Sequence, residues 1–140
     1  MDMHVRILTP EGEVVATPAV SVSLITELGA MQIFPGHASL HGVIELSPLR
    51  IEVDGQTAID YVVQRGFVFI SQEKDEVSIQ VYQCNKRDEL SHGTIKAYLD
   101  LLLSHLANPE SLGAYHLSYL EGEKTATQKQ FDLISDSKRT

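Results

Sequence analysis

The chain changes its hydrophobic period once. Up to residue 84, apolar and polar residues alternate in short runs, most cleanly in EVSIQVY (76–82). There Val77, Ile79 and Val81 share one side, and Glu76, Ser78, Gln80 and Tyr82 the other, which predicts a half-buried strand. Similar runs cover 5–8, 20–25, 49–53, 58–63 and 67–70. Turn signals lie between them: Pro10-Glu11-Gly12, Pro35-Gly36, Ser47-Pro48, Asp54-Gly55 and Glu73-Lys74-Asp75. Asp54-Gly55 predicts a tight hairpin with positive φ at both central residues. Many short strands at close spacing imply an antiparallel sandwich or barrel.

After Cys84 the period lengthens. Ile95, Leu99, Leu102, Leu103 and Leu106 form one apolar stripe, which predicts a helix within 91–107. Asn108-Pro109 ends it, because proline disfavours helix in the residue before it. Ser111 is placed to cap a second helix, whose stripe is Leu112, Tyr115, Tyr119 and Leu120. The short link, read as four or five residues, predicts an antiparallel two-helix hairpin. Gly122 weakens any continuation and leaves a short third segment around Phe131, Leu133 and Ile134. The tail, residues 135–140, is expected to fray. The reading is thus a β-sandwich domain over 1–84 and a helical hairpin domain over 85–140.

Composition narrows the function classes. The 140 residues are 43% hydrophobic and 21% charged, as in an ordinary globular protein. A net charge of −8 argues against a nucleic-acid partner and against an anionic membrane surface. Most of that charge belongs to the strand half, where 4 basic and 11 acidic residues leave −7; residues 85–140 carry 7 and 8. Cys84, the single cysteine, cannot form an internal disulfide, and a CxxC zinc site is excluded. No run approaches the roughly 20 apolar residues of a membrane span, and the N-terminus does not read as a signal peptide. The expected location is cytoplasmic, or on a membrane only through a partner.

The most pointed motif is QIFPGHASL (32–40). His37 and His41 would lie about 13 Å apart on a strand, too far for one metal ion. The other histidines lack metal-ligand spacing, so no metal or cofactor is expected. A hydrolase built on His37 and Ser39 would need an oxyanion hole, and no GxSxG elbow, GxxxxGK[ST] loop or GxGxxG is present. On residue type, His37 reads as part of a turn set by Pro35-Gly36. The helical stripe reads as packing against its partner helix or the sheet.

The ordered series GAMQIFPGHASL (29–40), Leu49-Arg50-Ile51, Gly66-Phe67-Val68-Phe69-Ile70 and EVSIQV resembles the epsilon subunit of F-type ATP synthases. The resemblance covers residues 4–83 and implies a β-sandwich of about ten strands followed by a two-helix hairpin. It implies a non-catalytic central-stalk subunit that holds the gamma subunit and the membrane c ring of a proton- or sodium-translocating enzyme. Contact with alpha and beta subunits through the C-terminal helices, and regulation of ATP hydrolysis, are further implications. So is a peripheral place on the cytoplasmic face of a bacterial inner membrane. Carried over position by position, Leu28, Gly29, Ala30, Pro35, Gly36 and His37 form the c-ring-facing loop. Ile95, Leu99, Leu102, Leu106, Leu112, Tyr115 and Tyr119 pack the hairpin.

Several positions depart from the family pattern. Gly29-Ala30-Met31-Gln32 lacks an acidic residue and a glycine, the acidic one at the family's c-ring contact. Arg65-Gly66 stands for Gly-Gly, and Ser39 for proline. The Asp-x-x-Arg-Ala motif with which some members bind ATP does not follow Val81, and residues 110–121 hold no lysine or arginine. Weak inhibition and no tight ATP binding are expected, as in a divergent or alternate-type enzyme. The rival reading is a small ligand- or peptide-binding β-sandwich with a helical tail.

Overall fold

The computed structural model describes residues 2–139, with side chains described through Asp136. It forms two compact units, Met1–Asn85 and Lys86–Thr140.

The first unit is one seven-stranded sheet: β1 (Met3–Thr9), β2 (Gly12–Ala19), β3 (Ser21–Thr26), β4 (Gly29–Ile33), β5 (Leu40–Glu52), β6 (Ile59–Ser71) and β7 (Glu76–Asn85). Its order is β2-β1-β7-β6-β5-β3-β4. Only the β1–β7 pair is parallel. One face of all seven strands feeds a single core that includes Val5, Ile7, Leu24, Ile33, Ile44, Leu49, Val68 and Ile79, so the sheet folds over on itself. The reading of EVSIQVY holds, with Val77, Ile79 and Val81 buried.

The expectation of about ten strands is corrected to seven. The discrepancy lies in β5 and β6, each 13 residues long. Runs that read as separate strands, 58–63 and 67–70, are two halves of β6. Ser47-Pro48, read as a turn, lies inside β5, paired with Val63 and Val62. Proline is tolerated there because β3 leaves β5 beyond the Leu24–Leu49 pair. The next donor, Ile25 N–H, bonds Ser47 Oγ at 2.8 Å instead of a strand carbonyl.

Within β6 the inward side switches. Ile59, Tyr61 and Val63 line the core in the first half, and Val68 and Ile70 in the second. Arg65, at φ 55, sits at the switch. A left-handed backbone costs a non-glycine residue about 1–2 kcal/mol. Burying Val63 and Val68 returns roughly 1.5–3 kcal/mol each, so burial wins. Gly66 follows where no side chain fits: a Cβ there would lie 1.9 Å from the Gln80 carbonyl oxygen.

The Asp54-Gly55 turn exists, closed by Gln56 N–H to the Val53 carbonyl at 3.1 Å. Of its central pair only Gly55 has positive φ, so the two-positive-φ turn that was expected does not form. β2 and β4 went unread: β2 is an exposed edge without clean alternation, and β4 has five residues.

The second unit opens with a 3-10 turn at Arg87–Glu89. Helix α1 (His92–Leu106) follows, then a second 3-10 turn at Pro109–Ser111 and helix α2 (Ala114–Arg139). Ser91 caps α1 by accepting from Thr94 N–H at 3.2 Å. The helices run antiparallel: His92 stacks on Phe131, and Tyr98 meets Glu123. The link is longer than expected, residues 107–113. Ser111 does not cap α2; its hydroxyl donates to the Asn108 carbonyl within the 3-10 turn.

Gly122 does not break α2, and no separate third segment exists. A mid-helix glycine costs about 1 kcal/mol relative to alanine. His116, Tyr119, Leu120, Glu123 and Thr127 make a continuous buried stripe across it, which outweighs that cost. The tail expected to fray is helical through Arg139, and Thr140 lies outside the described residues.

Candidate functional site

The six residues read as one loop occupy two turns at opposite ends of β4. The first is the Glu27-Leu28 hairpin tip, closed where Thr26 pairs with Gly29, which has φ 107. It is pinned to β5: Glu27 N–H donates to the Val43 carbonyl at 3.1 Å, and Val43 N–H donates to the Glu27 carboxylate. Leu28 N–H bonds Thr26 Oγ1 at 3.1 Å. The Leu28 side chain is left 63% exposed. Gly29 and Ala30 begin β4 and are half-buried.

The second turn is Phe34–His37. Pro35 presets its second residue, Gly36 takes φ 86, and His37 N–H closes it on the Phe34 carbonyl at 3.1 Å. The β6–β7 connection clamps it. Asp75 Oδ1 accepts from Gly36 N–H at 3.1 Å, and Gln72 Nε2 donates to the Gly36 carbonyl at 3.1 Å. Ser39 Oγ accepts from Gln72 N–H at 2.9 Å. The His37 ring turns to its neighbour's carbonyl, Nδ1 to Ala38 O at 2.7 Å. His37 and Ser39 are therefore engaged in holding the turn, and they do not pair with one another as a nucleophile and base would. Five residues of β4 separate the turns by roughly 16 Å. The arrangement presents two rigid knuckles, with Leu28 on one and the half-exposed Phe34 on the other.

Beside the first knuckle lies an apolar face that alternation did not reveal. Val43 pairs across the strands with Phe67, and both are about half exposed. Phe67 lies 6.0 Å from Phe69, whose ring meets His41 edge-on at 5.0 Å. Gly66 to Ile70 is apolar almost throughout, so the sequence carried no signal for which side faces out. The face continues into a cleft of about 380 Å³ lined by Leu8, Pro10, Arg65, Phe67, Gln80 and Tyr82.

In the helical unit, Ile95, Leu99, Leu102 and Tyr119 are buried, while Leu106, Leu112 and Tyr115 are half-buried. Leu103 faces outward. Sequence reasoning missed the centre of the hairpin. Glu123, nearly buried, receives the Tyr98 hydroxyl at 2.7 Å on one oxygen and Arg87 Nη1 at 2.8 Å on the other. Gln130 Nε2 adds a bond to the Arg87 carbonyl at 2.9 Å. The available signal was spacing: Glu123 continues the Tyr119–Leu120 stripe onto the next turn.

Among the described residues, no group of three or more His, Cys, Asp or Glu could hold a metal ion. No helix among them is long and apolar enough to cross a membrane.

Residues 2–84 match the family described as ATP synthase, delta/epsilon chain, beta-sandwich domain. The chloroplastic ATP synthase epsilon chain of Welwitschia mirabilis is 30% identical over 86 residues, covering 61% of this chain and 60% of that one. An ATP synthase epsilon chain of Synechococcus sp. (strain JA-2-3B'a(2-13)) is 29% identical over 100 residues, 71% of each chain. The matched length is thus under two thirds of the first relative. A chain in the central stalk and c-ring structure of the Tetrahymena thermophila mitochondrial ATP synthase shares the fold. It has a TM-score of 0.54 at 20% identity, over 64% of this chain and 69% of that one.

Proposed function

Since the chain belongs to the ATP synthase delta/epsilon family, we propose that it is a central-stalk epsilon subunit, non-catalytic, joining the gamma subunit to the c ring of an ion-translocating ATP synthase. It acts as a bracket. A folded sheet with a close-packed, mainly apolar core resists deformation and transmits torque between two partners. The site carries no nucleophile–base pair, and its polar groups are spent on holding turns. The membrane association of such a subunit is indirect, through the complex, on the cytoplasmic face of a bacterial inner membrane. The helical hairpin is the element available to alpha and beta subunits.

Two surfaces divide the labour. The knuckles at the ends of β4, carrying Leu28, Gly29 and Ala30 on one side and Pro35, Gly36 and His37 on the other, face the c ring. Gamma docks on the sheet face that exposes Val43 and Phe67. The observation that carries this reading is the family match over 2–84 combined with rigidly pinned turns that leave Leu28 and Phe34 exposed. Apolar side chains held out on a fixed backbone suit an interface, because little ordering entropy is lost on binding.

Co-purification tests it. The full chain, expressed with its cognate gamma and c subunits, should be recovered in one complex. Recovery of neither partner would refute the stalk role.

A further inference from the structure

The cleft beside Phe67 holds a cation, Arg65, that makes no ion pair among the described residues. Unit one has four basic side chains, Arg6, Arg50, Arg65 and Lys74. Arg6 is paired with Glu13 and Glu76, and Arg50 with Asp60. The Arg65 guanidinium instead lies over the ring of Tyr82, 5.3 Å from the centroid, and both side chains are exposed. The same residue occupies the left-handed backbone region at the β6 switch, where glycine would be relaxed. Strain of that kind persists where the surroundings hold it, and it concentrates at binding sites.

The cleft is lined on its apolar part by Leu8, Pro10, Phe67 and Tyr82, with Thr9 and Gln80 as its polar neighbours. Tyr82 holds the guanidinium plane in place, so less side-chain freedom is lost when a carboxylate arrives. The cleft adjoins the exposed Val43–Phe67 pair, so one partner can cover both.

We infer that the Arg65–Tyr82 cleft is a specificity-determining part of the gamma-docking face, and that it takes a carboxylate side chain of gamma flanked by a bulky apolar one. Charge complementarity selects that occupant. On a unit of net charge −7, an arginine that makes no ion pair among the described residues, set beside Phe67 and Tyr82, attracts an acid that the surrounding carboxylates would otherwise repel. The inference rests on the stalk reading and adds to it the chemistry of the contact.

The test measures binding of the full chain to purified cognate gamma, for the wild type and for Arg65→Gly, Arg65→Glu and Tyr82→Ala. Arg65→Gly places the residue that the backbone favours, so it folds and separates loss of charge from loss of structure. Expected are affinities weakened about tenfold for Arg65→Gly and by about a hundredfold for Arg65→Glu, with Tyr82→Ala between them. Wild-type binding should weaken with rising salt, and Arg65→Gly should lose part of that dependence. Wild-type affinity and an unchanged salt dependence in the Arg65 variants would overturn the inference while leaving the stalk role intact. Absence of wild-type binding would overturn both.

Discussion

The Tyr98 hydroxyl donates to Glu123 at 2.7 Å, joining the middle of α1 to the middle of α2 through a nearly buried carboxylate. The other oxygen of Glu123 takes Arg87, which lies in the connector before α1. One carboxylate thereby fixes the register of both helices and the segment that leads into them. Removing it strands two donors, and removing one donor strands less. Glu123→Ala should destabilise the hairpin by about 2–4 kcal/mol, and Tyr98→Phe by about 1 kcal/mol. Arg87 is a third exposed, so solvent screening keeps its share small. Hydrogen exchange of α2 amides, read beside global denaturation, checks both values and their order.

Burial and the neighbouring Glu123 charge push the Tyr98 phenol well above its ordinary 10.0. The folded state therefore holds this proton more tightly than the unfolded state. Its contribution is fully present below about pH 10 and is lost as pH rises beyond it. Stability of the helical unit should fall in that alkaline range, and Tyr98→Phe should flatten the fall. Phenolate absorbance should show that Tyr98 ionises only with unfolding, as the difference between the wild type and Tyr98→Phe.

At Gly66 an added Cβ would meet backbone, 1.9 Å from Gln80 O and 2.7 Å from Val81 Cα. No rotamer change relieves a contact with a strand. Gly66→Ala should cost about 3 kcal/mol or more, or prevent folding of the sheet. Gly36→Ala offers a contrast, since nothing lies within 4 Å and only φ 86 opposes it. A penalty of about 1 kcal/mol is expected there. Urea denaturation of the two variants side by side decides the matter.

Leu28 is 63% exposed on a turn held from behind by Val43 and Thr26. Leu28→Asp should leave the melting temperature within about 2 °C of wild type, as for a surface change. Retention of the c ring in the assembled complex should drop clearly. Unchanged retention would remove the first knuckle from the ring contact.

The helical unit lacks the ATP-binding motif and any lysine or arginine in 110–121. Calorimetry should detect no micromolar binding of ATP. Deleting residues 86–140 should change ATP hydrolysis by the complex little, and a large rise would show that the hairpin inhibits after all.

Much of this was readable from residue order. Alternation in EVSIQVY gave its buried and exposed sides, because a strand has a period of two. The stripe from Ile95 to Leu106 placed α1, and Pro35-Gly36 its turn, since those signals act over a few residues. The long strands were not readable. Ser47-Pro48 has a local preference for turning, yet pairing with Val63 and Val62 carries β5 through it, and β6 continues past the Arg65 switch because Gly66 pairs with Ile44 and Val81. The unbroken α2 was hidden for the same reason, packing outweighing local preference at Gly122, whereas the seven-residue link was hidden by a local competitor, the bond from the Ser111 hydroxyl to the Asn108 carbonyl.

By itself the sequence determined the class of each unit and the turn at QIFPGHASL, both consequences of short-range periodicity and backbone chemistry, and its motif series carried the family resemblance. Tertiary structure decided the rest. It split the supposed loop across both ends of β4, turned Phe67 outward and Val68 inward, and placed Glu123 between Tyr98 and Arg87. The reason is physical. A side chain's worth as core, clasp or contact depends on what faces it across the fold, and those partners lie 25 and 36 residues away along the chain.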